Sequence, residues 1–119
     1  MKRVLILAAA FVALAACAAP SQEATQQQNL AADGRDIAEA QCAGCHAVGA
    51  YGDSANPAAP HFRTLLSRYR ADVLRDELIA GIQVAHPMPN FQFNPQGVDA
   101  LIAYLQSIQE TPAAAGQAP

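Results

Sequence analysis

Positive charge is what this chain has least of: one lysine, at position 2, and six arginines stand against ten acids in 119 residues. If residues 1–16 leave as a leader, Lys2 and Arg3 go with them, and five arginines against ten acids give the mature chain a net charge of −5. Nucleic acid and anionic membrane surfaces are held through basic footprints, so neither fits as a partner. Beyond the leader no apolar run approaches the roughly 20 residues needed to span a bilayer. No segment alternates apolar and polar residues as a half-buried strand does. There is no tryptophan, and of three cysteines two fall in one short motif.

What is present begins with Met1-Lys2-Arg3, followed by Val4-Leu5-Ile6-Leu7 and an alanine-rich run to Ala16. A short positive start, an uncharged apolar stretch and small residues make a secretory signal, so the protein is expected to be exported. An odd cysteine in an exported chain calls for an explanation. Leu14-Ala15-Ala16-Cys17 resembles the lipobox of bacterial lipoproteins, in which the cysteine becomes the lipid-modified first residue. The alternative, ordinary cleavage after the small-residue triplet at 16–18, would discard Cys17 with the signal.

Four units follow: a signal peptide of lipoprotein type over 1–16, a flexible tether over 17–31, one folded domain over 32–110 and a disordered tail over 111–119. The tether reading rests on a glutamine-rich stretch with no large apolar residue before Leu30, which has no face to bury. The folded part, roughly 80 residues, is of the size that often needs a disulfide, metal or cofactor for stability. Within it Asp33 is expected to cap a first helix running into the cysteine motif, and 47–60, rich in glycine and proline, is a loop. Phe62, Leu65, Leu66 and Tyr69 form the stripe of a short helix. Asp72 is expected to cap another carrying Leu74, Leu78 and Ile82, ended by Gly81 and Pro87. Asn94-Pro95 opens the strongest helix, with Val98, Leu101, Ile102, Leu105 and Ile108 on one face. The expected domain is all-α, with about four short helices and long loops.

Cys42-Ala43-Gly44-Cys45-His46 is the C-x-x-C-H pattern of c-type haem attachment. Positions i, i+3 and i+4 of a helical turn face one way, so both thiols and the imidazole converge on one ligand. The thiols then reach the two vinyl groups of a single haem while His46 approaches the iron. A redox dithiol of thioredoxin type would need a βαβ setting, and a zinc site would need ligands that no later cysteine supplies.

Met88 is the one methionine outside the leader, and Pro87 and Pro89 restrict the backbone on either side of it. It is the expected second axial ligand, with His46 the first. Histidine and methionine together raise the iron's potential and leave no open position for a substrate, which favours electron transfer over catalysis. His61 reads as a surface or packing residue; His86, two residues from Met88, is the competing distal ligand.

From about Gly34 to Ile108 the chain resembles the class I cytochrome c family. Gly34 precedes Cys42 by eight residues, Leu101-Ile102-Ala103-Tyr104-Leu105 matches the last helix, and Met88-Pro89-Asn90-Phe91 matches the distal segment. The resemblance implies a small cytochrome c-like fold around one covalently bound haem c, with the last helix crossing the first near Gly34. It also implies that a proline carbonyl, Pro60 first and Pro57 second, takes the hydrogen bond of His46 Nδ1. Where the family often has an aromatic, four residues after the glycine, this chain has Ala38, so the crossing should be looser or use Ile37. Without tryptophan, a haem propionate must turn to Tyr51, Tyr69 or an arginine such as Arg63 or Arg68, and these stay open. The lysine-ringed haem edge of some members is absent.

The expected function is single-electron carriage between redox protein partners, not enzymatic catalysis. The expected place is the periplasm, at a membrane through a lipid anchor at Cys17, or soluble there if Cys17 is lost. The alternatives are a haem subunit permanently bound to a larger oxidoreductase and a five-coordinate haem sensor or enzyme. Cys17→Ser is expected to block lipid labelling in cells, leaving the protein unprocessed or soluble. An unmodified mature N-terminus that starts beyond Cys17 would contradict the anchor.

Overall fold

A computed structural model describes residues 20–82, 88, 89, 91 and 93–110. Along the chain run α1 (Gln22–Gln41), a 3-10 helix (Phe62–Ser67), α2 (Ala71–Ala80) and α3 (Pro95–Ile108), and the described residues contain no strand. The fold is the expected all-α one, four helices joined by long loops.

The first helix begins well before Asp33. Ser21 is its N-cap, its hydroxyl accepting the Ala24 N–H at 3.2 Å, and Glu23 lies in the first turn where the helix dipole favours an acid. Asp33 and Asp36 therefore sit inside α1, and the described part of the segment expected to be a flexible tether, 20–31, is helical from Gln22. The composition does leave that part without a buried face, since residues 20–29 are all exposed. Alanine, glutamine and glutamate are nevertheless good helix formers, and with a cap and a packed C-terminal half they extend the helix outward.

The packed half of α1 turns on Gly34 and Ala38, both buried against α3, and this crossing is the most extensive contact between elements. A Cβ on Gly34 would stand 1.9 Å from the Ala100 carbonyl oxygen, so only glycine lets the two backbones approach this closely. Ala38 is fully buried. Ile37 reaches α3 beside it: a Cβ at Gly97 would lie 3.6 Å from Ile37 Cδ1. The missing aromatic is thus answered by a small residue at the crossing and an aliphatic one next to it.

The expected capping of α3 is present, Asn94 Oδ1 accepting the Gly97 N–H at 2.7 Å with Pro95 in the first turn. Val98, Leu101, Ile102, Tyr104 and Leu105 are buried and join Phe62, Leu65, Leu74 and Leu78 in one core. Two expectations shift. The 62–67 segment is a 3-10 helix, and α2 is preceded by Arg70, not Asp72, at its N-cap, without a side-chain cap. Asp72 lies in the first turn instead, where hydrogen bonds from the Arg70 guanidinium hold its carboxyl below the usual range. Gly81, at φ 93°, ends α2 in a conformation that side chains rarely adopt.

Gly34→Ala is expected to cost about 3 kcal/mol or more, beyond ordinary overpacking, because the obstructing atom is backbone that cannot rotate away. Gly44→Ala, where a Cβ meets nothing within 4 Å, is the control and should be close to neutral. Denaturant unfolding of the haem-loaded protein checks this, and equal midpoints for the two variants would contradict the close crossing.

Candidate cofactor site

The cysteine motif continues α1 by one hydrogen-bonded turn. The N–H groups of Cys42 and Ala43 both donate to the Ala38 carbonyl, at 2.9 and 3.1 Å, and those of Cys45 and His46 both donate to the Cys42 carbonyl, at 3.1 and 2.9 Å. This turn sets positions i, i+3 and i+4 on one side of the chain. Cys42 is half-buried, Cys45 exposed and His46 buried. Burial pushes the Cys42 thiol up to about 11, so without a bond to its sulfur it stays protonated at neutral pH.

The loop after the motif folds back onto it. Asn56 N–H donates to the Cys45 carbonyl at 3.0 Å, Ala47 N–H to the Ser54 hydroxyl at 2.9 Å, and Phe62 N–H to the Ala47 carbonyl at 3.0 Å. These bonds bring the Pro60 carbonyl to His46, whose Nδ1–H donates to it at 2.8 Å. Pro57 lines the same cleft, but it is the Pro60 carbonyl that meets the ring. A carbonyl can only accept, so the hydrogen sits on Nδ1 and Nε2 carries the lone pair that a metal requires. The Phe62 ring tilts against the imidazole at 5.2 Å between centroids, which fixes its plane further.

From α3, the Tyr104 hydroxyl donates to the Val48 carbonyl at 2.9 Å, tying that helix to the loop just after the motif. Gln109 makes three bonds at the far end: its amide N–H donates to the carbonyls of Phe62 and Leu105, and its oxygen accepts the Leu66 N–H. It thereby satisfies backbone groups at the end of α3 and along the 3-10 helix at once. Arg63 adds a second tie, donating to Glu110 at 2.7 Å and to the Gly52 carbonyl at 2.8 Å. Sequence reasoning missed both Gln109 and Tyr104 as ties. Tyr104 could have been found as the polar-tipped neighbour of a buried stripe; Gln109 had no local signal.

These elements enclose a cleft of about 780 Å³. Cys42, His46 and Pro60 line it, with Leu65 and Leu78 among its apolar residues, and half-buried Met88 lines it as well. Cys45 stands exposed outside that lining. His61 lines the cleft and has Nε2 3.9 Å from Asp53 Oδ1. Cys17 and His86 lie outside the described residues. Among the described residues no three His, Cys, Asp or Glu gather to hold a bare metal ion.

The arrangement fits a haem. Its volume is that of a cofactor-sized pocket, about 300–1,000 Å³, its walls are mostly apolar, and the chain supplies two thiols at thioether spacing, an oriented imidazole and a thioether sulfur. The family model described as Cytochrome c matches residues 31–109. No curated protein and no solved structure matches the chain.

Replacing both Cys42 and Cys45 by serine is expected to abolish the haem stain that the native chain should keep through denaturing electrophoresis. Haem that dissociates freely when the native protein is denatured would contradict covalent attachment.

Proposed function

The chain belongs to the cytochrome c family and carries covalently bound haem c; from that premise we propose that it is a single-electron carrier whose one haem is held axially by His46 and Met88. The observation that carries this reading is that the oriented imidazole of His46 and the thioether of Met88 line one apolar cleft beside Cys42. The sequence has a single C-x-x-C-H motif, which supports one haem per chain. When bound, haem c supplies an iron that exchanges one electron between its ferric and ferrous states.

The residues of the chain govern that exchange in three ways. Pro60 orients His46 and makes its ring a stronger donor. Met88 would offer its thioether sulfur as the second protein ligand to the iron, which would exclude substrates and favour the ferrous state. Phe62, Leu65, Leu74, Leu78 and Leu101 keep water from the cleft and so lower the local dielectric, which also favours the less charged ferrous form. Tyr69 and Val73 line the cleft and are half-exposed, giving redox partners an apolar rim in an otherwise acidic chain.

The signal pattern at the N-terminus supports export, and the lipobox supports attachment at Cys17, where the several acyl chains of a bacterial lipoprotein would anchor firmly. On this reading α1, helical from Gln22, links an anchor in the membrane to a haem domain in the periplasm.

Met88→Ala is expected to open the iron, lower the reduction potential and let carbon monoxide bind the ferrous form. Met88→His should keep six-coordination at a lower potential, and His86→Ala should change little. If Met88→Ala leaves spectrum and potential intact while His86→Ala opens the iron, His86 is the distal ligand. Ready binding of carbon monoxide by the wild-type ferrous protein would favour a five-coordinate sensor or enzyme.

A further inference from the structure

Gln109 is the C-cap of α3, and its side-chain amide bonds to three backbone groups at once. Nε2 donates to the Phe62 and Leu105 carbonyls, each at 2.8 Å, and Oε1 accepts the Leu66 N–H at 2.9 Å. The amide can face only this way, because the two carbonyls can only accept and the N–H can only donate. The place asks for two N–H donors and one oxygen acceptor on a stem of this length, which glutamine alone provides.

The bond to Leu105 serves the last turn of α3. The bond to Phe62 acts on the site. Residues 60–62 hold the His46 side chain at two points: the Pro60 carbonyl accepts from Nδ1 at 2.8 Å, and the Phe62 ring lies 5.2 Å from the imidazole, tilted by 55°. Phe62 N–H also donates to the Ala47 carbonyl at 3.0 Å, one residue after His46. Phe62 is thus pinned to the motif by its N–H and to Gln109 by its carbonyl. Among the described residues no other side chain beyond Asn94 bonds to residues 60–62. The neighbouring ties act one residue later, where the Glu110 N–H meets the Arg63 carbonyl and the Arg63 guanidinium goes to Glu110 and Gly52.

We propose that Gln109 is a positioning residue for His46: by fixing Phe62 it keeps the Pro60 carbonyl on Nδ1 and so helps to set the potential of the iron. The proposal rests on the reading of the cleft as a haem site with His46 on the iron. A hydrogen bond from Nδ1–H to a carbonyl gives the ring more electron density and makes it the stronger donor. A stronger donor favours the ferric state, so this bond lowers the potential and its loosening raises it. Gln109 carries no charge and does not line the cleft. Replacing it by a neutral residue therefore leaves both the net charge and the cleft wall as they were, and a change of potential reads the placement of His46.

The experiment compares Gln109→Leu with the wild type, both haem-loaded. It reads the reduction potential and, by NMR of the nitrogen-labelled ferrous protein, the resonance of the His46 Nδ1 hydrogen. Gln109→Leu is expected to raise the potential and to move that resonance upfield, the direction of a longer, weaker hydrogen bond. Gln109→Asn keeps the amide on a shorter stem and should shift both in the same direction by less. It decides the matter should the leucine variant fail to fold. Ile79→Ala is the control for stability. Ile79 packs against the core from α2 without lining the cleft, so its truncation should lower the denaturant midpoint and leave potential and resonance in place. If the folded Gln109 variants keep the wild-type potential and resonance, the proposal fails. It fails equally if Ile79→Ala moves both as far as they do, since any loosening of the core would then suffice. A wild-type protein whose iron has no histidine ligand would instead overturn the reading of the cleft.

Discussion

The backbone contact of Gly34 with Ala100 fixes where everything else can be. With no side chain at position 34, α1 lies directly on α3, and the next two turns lead from Gly34 past the buried Ala38 into Cys42 and the motif. The haem-binding turn is therefore held at a set distance and angle from Leu101, on the far side of the same contact. A bulkier residue at 34 would push the helices apart and displace the cysteines and His46 together. A domain of roughly 80 residues has little apolar area to spare for such a displacement. Covalently attached haem adds its own apolar surface to that core.

Around this crossing, the loops are held by polar ties that a short apolar core could not provide. Tyr104 fastens α3 to Val48, Gln109 and Arg63 fasten its end to the 3-10 helix, and the Asn56 and Ser54 bonds fold the loop back so that Pro60 meets His46. Each bond is modest, about 1 kcal/mol net. Their common result is a ring whose tautomer and plane are set before any electron arrives. For an electron carrier that rigidity is functional, because a site that changes little between redox states has little reorganisation to undergo.

The parts of the molecule legible in the sequence were those carried by periodicity or by chemistry that admits few residues. The C-x-x-C-H motif, the Asn94-Pro95 helix start and the stripe from Val98 to Leu105 all have local causes, and the glycine at 34 has a distinctive place before the motif. The start of α1 was misjudged because absence of a buried face was taken to mean absence of helix, whereas Ser21 and good helix formers extend a helix that is packed only at its other end. Asp72 looked like a cap, but α2 already starts at Ala71, so its carboxylate lies in the first turn and pairs with Arg70. The 3-10 form of 62–67 shares its apolar spacing with an α-turn, so periodicity could not separate them. Gln109 acts on residues more than forty positions away, a relation with no trace in local pattern. Cys17 and His86 fall outside the described residues, and their roles rest on the sequence alone.

The central claim is that one sulfur, that of Met88, completes the iron's coordination opposite His46. X-ray absorption at the iron edge of the haem-loaded protein, in both redox states, reads that shell directly. The account predicts five nitrogen scatterers and one sulfur at about 2.3 Å, by analogy with other metal–sulfur bonds, and loss of the sulfur shell in Met88→Ala. A shell of six nitrogens, or of five ligands with no sulfur, would contradict it.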